Sequence, residues 1–384
     1  MRRRNRSIKK PIVAVLLDAH LKGYPTACGY IRLILPLTQS AVLNEFDVRF
    51  VSLDALSELK PDIVIVQRLA ISTQEDVSYL ISFCRKSNTP MVYELDDDIT
   101  SLDSEHSEYD HYKKMSVFVR ALCEAADEVW VSTNELLTRL QALNPNILKI
   151  ANELDDRIWK SSNTSIEELT DAEETAPLLN VLYMGSATHG GDFFSLLYPS
   201  FEKLRSEYGN RVELSLIGVL PDEDLVDGIN SIEIPYGVGS SYPAFVSWLQ
   251  GLKGYNVGVA PLVSNTFNQS KSHIKWLEYS GMGLVTLASN CGEYGESIET
   301  GVTGILCENN ELGIYKALCG FLEKPEQLSK LQTSTQGFLE NHLNNLDGHS
   351  KRLLQMQKLL KENSNSRHSE ENLYSQYSDR WKAN

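Results

Sequence analysis

Two cations and one carboxylate, Lys271, Lys275 and Glu278, follow one another at intervals of four and three residues, just ahead of a turn containing Gly281 and Gly283. In a helix these intervals put all three side chains on one face. Two ammonium groups placed so can hold a diphosphate while the acid accepts hydrogen bonds from ribose hydroxyls. The competing reading is a solvated helix face laced by i,i+4 ion pairs.

Asp96, Asp97 and Asp98 form a second group, directly after the apolar run 91–95. An Asp-x-Asp after a strand can bind a divalent cation that carries a nucleotide diphosphate. The same residues suit helix capping and, at Asp97, the orientation or deprotonation of an acceptor hydroxyl. Metal binding is the weaker reading, and no metal is expected. Arg32 closes the stretch Cys28 to Arg32, one turn into an expected helix and within reach of a leaving diphosphate. Its structural alternative is a pair with a surface acid. Neither a Ser/His/Asp order nor a nucleophilic cysteine motif appears. No Gly-x-Gly-x-x-Gly follows the first strand, so dehydrogenase chemistry loses its main support.

These groups need elements to position them. The chain has 384 residues and 42% hydrophobic content, enough for two domains with separate cores. Short β-branched runs alternate with helical periodicity, the pattern of parallel strands covered by crossover helices. They fall at 12–17, 48–51, 63–66, 91–95 and 128–131, and again at 180–185, 212–218, 232–234, 257–262, 284–289 and 304–306. An acidic stretch, 161–174, separates the two series. The expected organisation is a basic tip (1–10), a Rossmann-like domain (11–158), a linker (159–178), a second Rossmann-like domain (179–345) and a helical tail (346–384). Tyr374, Tyr377 and Trp381 suggest that part of the tail docks on a domain. In such α/β sheets ligands bind beyond the carboxyl ends of strands, so the cleft between the two sheets is the expected site.

The formal charge of −15 argues against broad nucleic-acid binding and requires any phosphate site to be local. Six scattered cysteines without a C-x-x-C pair read as reduced thiols. No run approaches the roughly 20 apolar residues of a membrane span, and a cytoplasmic location is expected. The basic tip suits a frayed terminus or a peripheral contact with anionic lipid.

On these residues the chain is similar to the group 1 (family 4-like) GT-B glycosyltransferases, retaining enzymes that build bacterial polysaccharides. The stretch 291–306 resembles that family's loop, in which Gly-Gly-x-x-Glu precedes an apolar pair and a Gly-x-Thr-Gly-Leu-Leu turn. Gly292 and Gly295 there would let backbone N–H groups approach an anion, with a helix starting near Glu296. The family carries two glutamates eight positions apart, the second binding the donor ribose. Glu278 matches the second, and Ser270 stands at the first. The residues Phe267–Asn268, Lys271–Ser272, Ile274–Lys275 and Leu277 to Tyr279 resemble a branch of O-antigen and other surface-polysaccharide enzymes, rhamnosyltransferases included. Tyr183 to Asp192 resembles the same branch's Gly-x-x-Thr-His-x-x-Asp turn.

The resemblance implies two Rossmann-like doubly wound domains facing a cleft. Donor contacts fall to Lys271, Lys275, Glu278, Gly29, Tyr30, Gly185, Asp192, Glu293, Tyr294 and Glu296. Catalytic roles fall to Arg32, to His189 and, by position, to Asp97. The plain alternative for His189 is a residue that only shapes its loop. The expected activity is transfer of a hexose from a UDP-, dTDP- or GDP-sugar to a glycan or lipid-linked glycan, retaining and without metal or other cofactor. An inverting enzyme on the same fold and a catalytically silent scaffold of a polysaccharide-assembly complex remain open.

Overall fold

The computed structural model describes residues 9–19, 23–102, 104, 108–160, 178–185, 190–218, 227–344 and 347–381, with side chains up to 364. The acidic stretch 161–174, His189 and the side chains of Tyr374, Tyr377 and Trp381 lie outside this set.

The first sheet contains β1 (Ile12–Leu16), β2 (Asp47–Phe50), β3 (Ile63–Gln67), β4 (Met91–Leu95), β5 (Glu128–Val131) and β6 (Ile147–Lys149), in the order β2-β1-β3-β4-β5-β6. The second contains β7 (Leu179–Met184), β8 (Val212–Ile217), β9 (Ile229–Ile232), β10 (Val257–Ala260), β11 (Val285–Ser289) and β12 (Ile305–Cys307), in the order β12-β11-β10-β7-β8-β9. Every pairing is parallel. The strand order reverses between β1 and β3 in one sheet and between β7 and β10 in the other, which makes two crevices at carboxyl ends. One sequence expectation is corrected and one strand is added. The strand expected at 232–234 runs over Ile229–Ile232, and β6 carried no apolar run because it is a half-buried edge strand with a lysine.

In each domain the first crossover helix contains a π-turn, Tyr30–Ile34 and Phe193–Leu197, with a proline, Pro36 and Pro199, just beyond. The residue before each proline donates five residues back, Leu35 to Tyr30 and Tyr198 to Phe193. A proline inside a helix lacks a donor and crowds the carbonyl four residues earlier, and a widened turn relieves both. Around Arg32 the helix buries two faces. Leu33 and Leu37 enter the core of the first sheet, whereas Ile31 and Leu35 join an apolar cluster with Leu182, Tyr242 and Trp276 of the second domain.

The chain leaves the first domain through 150–160 and returns to it between the helices Pro325–Asn344 and Asp347–Trp381. Trp159 packs where a side chain on Gly281 would sit, its ring 2.4 Å from that Cβ position. The terminal helix Asp347–Trp381 returns to the first domain, where Met356 and Leu359 join the cluster of Val13, Leu33 and Trp130. No helix among the described residues is long and apolar enough to cross a membrane.

Candidate active site between the domains

The helix Ile274–Gly281 carries Lys275 and Glu278, and its neighbour Tyr279 locks it over the second crevice. The Tyr279 ring packs on Gly258 of β10, where any Cβ would come within 2.3 Å of it. Its hydroxyl accepts from the Met184 N–H at 2.9 Å and donates to the Val259 carbonyl at 3.1 Å, bridging β7 and β10 at the point where the strand order reverses. Trp276 Nε1 donates to the Thr303 carbonyl and its ring stacks on Phe338. The helix is therefore fixed on both flanks of the two functional side chains.

Lys271 is not on that helix. It lies in the turn after the short helix Thr266–Gln269, its N–H donating to the Asn268 carbonyl, so the single-face expectation holds for Lys275 and Glu278 only. The turn nevertheless brings Lys271 to the same cavity as Lys275. That cavity, about 140 Å³, is lined from the first domain by Cys28, Arg32, Asp96, Asp97 and Asn152, and from the second by Lys271, Ser272, Lys275 and Tyr294.

The Lys275 Nζ is buried without a hydrogen-bond partner among the described residues and lies 5.5 Å from the centre of the Tyr183 ring. Burial, and then the Lys271 charge, push its pKa down to about 8. Lys271 is shifted down as well by burial, with Asp97 and Asp192 opposing. Glu278 accepts from the Tyr242 hydroxyl at 2.9 Å, and burial pushes it up to about 7 against that bond and the Lys275 charge.

Arg32 departs from expectation. Its guanidinium is buried and paired with Glu94 of β4, Nε to Oε1 at 2.6 Å, while Nη1 donates to the Ile150 carbonyl and to Asn152 Oδ1. The acid is internal rather than on the surface, and Gln67 donates to its other oxygen. Only the Arg32 Nη2 has no partner among the described residues.

Asp97 lies at the cavity wall, about 30% exposed, with Oδ2 3.2 Å from Arg68 Nη1. Burial and the adjacent Asp96 charge push its carboxyl up. Burial acts on Asp96 in the same direction, but the Arg68 charge, with help from Cys28 and Arg32, overrides it and holds Asp96 down. Asp98 turns away and accepts from the Thr100 N–H and hydroxyl. Arg68 Nη1 thus occupies the place between Asp96 and Asp97 where a shared cation would sit. Among the described residues no group of three metal-ligating side chains occurs.

Arg68 was not singled out from sequence. It is a non-glycine residue at φ 41°, pairing also with Asp18, and such left-handed strain is a marker of functional sites. Directly after β3, without a motif around it, it gave no local signal.

Three acids expected at the donor are engaged elsewhere. Asp192 accepts from the Val263 N–H at 2.7 Å and from Asn268 Nδ2 at 3.1 Å, which pins the loop leading to Lys271. Glu293 pairs with Lys149 of β6 at 2.7 Å, and Glu296 accepts from Asn134 Nδ2 at 2.6 Å. Both glutamates tie the domains together, because the helix begins at Glu293, three residues before its expected start. Gly292 supplies the entry at φ 52°, and a Cβ there would stand 2.4 Å from the Gln269 carbonyl.

Tyr294 is buried at the cavity wall. Gly29 packs on Gln67 and Pro25, and Tyr30 lies half-buried against the second domain. Gly185 donates to the Ile217 carbonyl at the end of β7. Ser270, at the family's first glutamate position, is fully buried, and its carbonyl accepts from Thr133 Oγ1 of the first domain.

Compared by sequence, the chain matches no protein-family model and no curated protein at a significant level. By structure it is similar to Anabaena HepE, solved with UDP and glucose (TM-score 0.59, 13% identity, covering 91% of this chain and 100% of that one). It is also similar to the sucrose-phosphate synthase of Thermosynechococcus elongatus (TM-score 0.61, 12% identity, 92% and 99% covered). A third similar structure is the lipopolysaccharide outer core galactosyltransferase WaaB (TM-score 0.52, 15% identity, 91% and 100% covered). With two all-parallel six-stranded sheets facing a cleft and a terminal helix crossing back to the first domain, the chain has the GT-B fold of these glycosyltransferase structures.

Proposed function

We propose that the protein is a glycosyltransferase that moves a hexose from a nucleotide diphosphate sugar to a hydroxyl of a bacterial cell-surface glycan. The observation that carries this reading is that Arg32 and Lys275, one from each domain, line a single cavity and each keeps a buried donor, Nη2 and Nζ, without a partner among the described residues. Buried charge is costly unless paired, and the Lys275 ammonium has no hydrogen-bond partner among the described residues, so an anion is its missing partner. HepE, which holds UDP and glucose, and the galactosyltransferase WaaB support a nucleotide sugar as that anion and a surface glycan as the acceptor.

In the reaction the bond between the anomeric carbon and the diphosphate oxygen breaks, and the acceptor oxygen takes its place. Negative charge grows on the leaving diphosphate. Arg32, Lys271 and Lys275 stabilise it most at that stage, which accelerates the step rather than only tightening binding. Glu278 accepts from the ribose. The cavity is smaller than the roughly 300–1,000 Å³ of ordinary ligand clefts, so the donor enters after the domains part and their closure completes the site.

Retention by same-face attack, without metal, is the primary reading. An inverting reaction is the second, favoured by Asp97, a partly exposed carboxyl at the cavity wall whose raised pKa suits a general base. On this reading the protein works in the cytoplasm or at the inner face of the membrane. The test is calorimetry with UDP, dTDP and GDP, with and without EDTA, followed by assay of the matching sugar conjugates. EDTA-resistant binding and product formation are expected, and the product's anomeric configuration separates retention from inversion. Binding without product would replace the enzyme by a scaffold, and absence of binding would end the donor reading.

A further inference from the structure

Asn152 lies beyond β6, on the segment by which the chain leaves the first sheet, and it is buried at the domain boundary. Its amide spans that boundary. Oδ1 accepts from Arg32 Nη1 at 3.0 Å, and Nδ2 donates to Ser272 Oγ at 2.7 Å. The polarity has one solution, because a guanidinium only donates and therefore faces the amide oxygen.

Two protons are directed as a result. The Ser272 oxygen is used as an acceptor, so its own O–H points elsewhere, and no acceptor for it occurs among the described residues. Arg32 has Nε on Glu94 and Nη1 on Ile150 and Asn152, which leaves Nη2. Arg32, Ser272 and Asn152 all line the cavity that also receives Lys275.

We propose that Asn152 is a positioning residue for the donor diphosphate. One amide holds the guanidinium of the first domain and the Lys271–Ser272 turn of the second in the register at which Arg32 Nη2–H and Ser272 Oγ–H both face the phosphoryl oxygens. The inference rests on the donor reading above and assigns the contact that assembles its two halves. An aspartate cannot replace this amide: it would draw the Ser272 proton away from the cavity and set a negative charge beside the phosphates. Leucine keeps the volume and loses both bonds.

The test is titration of wild type, Asn152→Leu, Asn152→Asp, Ser272→Ala and the Asn152→Leu/Ser272→Ala double variant with whichever of UDP, dTDP and GDP binds, and with the matching nucleoside monophosphate. Asn152→Leu and Ser272→Ala should each weaken the diphosphate about 10-fold and the monophosphate less than about 3-fold. The double variant should lose little more than either single one, since both remove the same assembly. Asn152→Asp should lose the most. Unchanged diphosphate affinity in the single variants, additive losses, or equal losses for mono- and diphosphate would each overturn the positioning role. If Asn152→Leu does not fold, Asn152→Ala carries the same test, because it removes both amide bonds and leaves the Ser272 hydroxyl in place. Wild-type protein that binds no nucleoside diphosphate would overturn the donor reading itself, and this inference with it.

Discussion

The two domains treat the cations around the cavity in different ways. In the first, Arg32 is paired with Glu94, and Arg68 is shared by Asp18, Asp96 and Asp97. In the second, Lys275 has no hydrogen-bond partner among the described residues, and Glu278, one turn away, is held by Tyr242 instead. Arginine keeps its charge at any working pH and presents several donors, so one acid can fix it while an N–H remains for a ligand. Lysine is a point charge whose pKa yields to burial, and it serves best where the ligand itself supplies the counter-charge. The first domain is thus built as a preorganised wall, and on the proposed reading the second is the half that the donor completes.

Breaking the wall should have the largest effect. Glu94→Ala leaves the Arg32 guanidinium buried and unpaired, which costs about 3–5 kcal/mol. A fall of that size in the unfolding free energy by urea titration is expected, and a change below about 1 kcal/mol would mean that Arg32 is held by Ile150 and Asn152 instead. The corresponding change in the second domain should act in the reverse direction. Lys275→Met removes a charge that burial disfavours, so stability should rise by about 1–2 kcal/mol while nucleoside diphosphate affinity drops on the order of 10²-fold. Loss of both stability and affinity would show that Lys275 is a structural residue.

The same contrast sets a pH window. Below about 8 Lys275 is charged, and above about 7 Glu278 is ionised. Diphosphate needs the first and ribose the second, so affinity should peak between these values and fall roughly tenfold per pH unit on either side. Stability of the empty protein should run differently. The depressed Lys275 pKa makes stability rise with pH from about 8 towards the unfolded value, and the raised Glu278 pKa makes it fall as pH rises from the ordinary carboxyl range to about 7. Isothermal titration from pH 6 to 9 checks the first statement and thermal melts check the second. A flat affinity profile would remove both groups from the site, and the loss of one limb alone would remove the group that titrates there.

The smallest effect is expected at the turn that enters the donor-side helix. Gly292→Ala forces a Cβ onto the Gln269 carbonyl at a positive φ, at a cost of about 1–2 kcal/mol. Because Gln269 precedes the Lys271 turn, affinity should fall with it. A melting temperature equal to wild type would mean that the loop shifts freely.

Much of this architecture was legible in the chain. Strands buried on both faces read as apolar runs, and β4 and β5 lie where those runs lie, whereas β6 did not register because an edge strand of three residues needs few apolar side chains. The cavity lysines were visible by their spacing with Glu278 ahead of a glycine-containing turn, although only Lys275 lies on the helix, and Asp97 by its place after a strand. What proximity in sequence could not reveal was the partner of each charge. Glu94 reaches Arg32 across 62 positions, Lys149 meets Glu293 across 144, and Asn152 meets both Arg32 and Ser272 across 120. Periodicity records which face of an element is buried. It does not record what that face is buried against, so the sequence by itself determined two doubly wound domains and the cations between them. Only the tertiary structure decided that Arg32 is paired while Lys275 has no partner among the described residues, because the energy of a buried charge depends on the acids that the folded chain brings within a few ångströms.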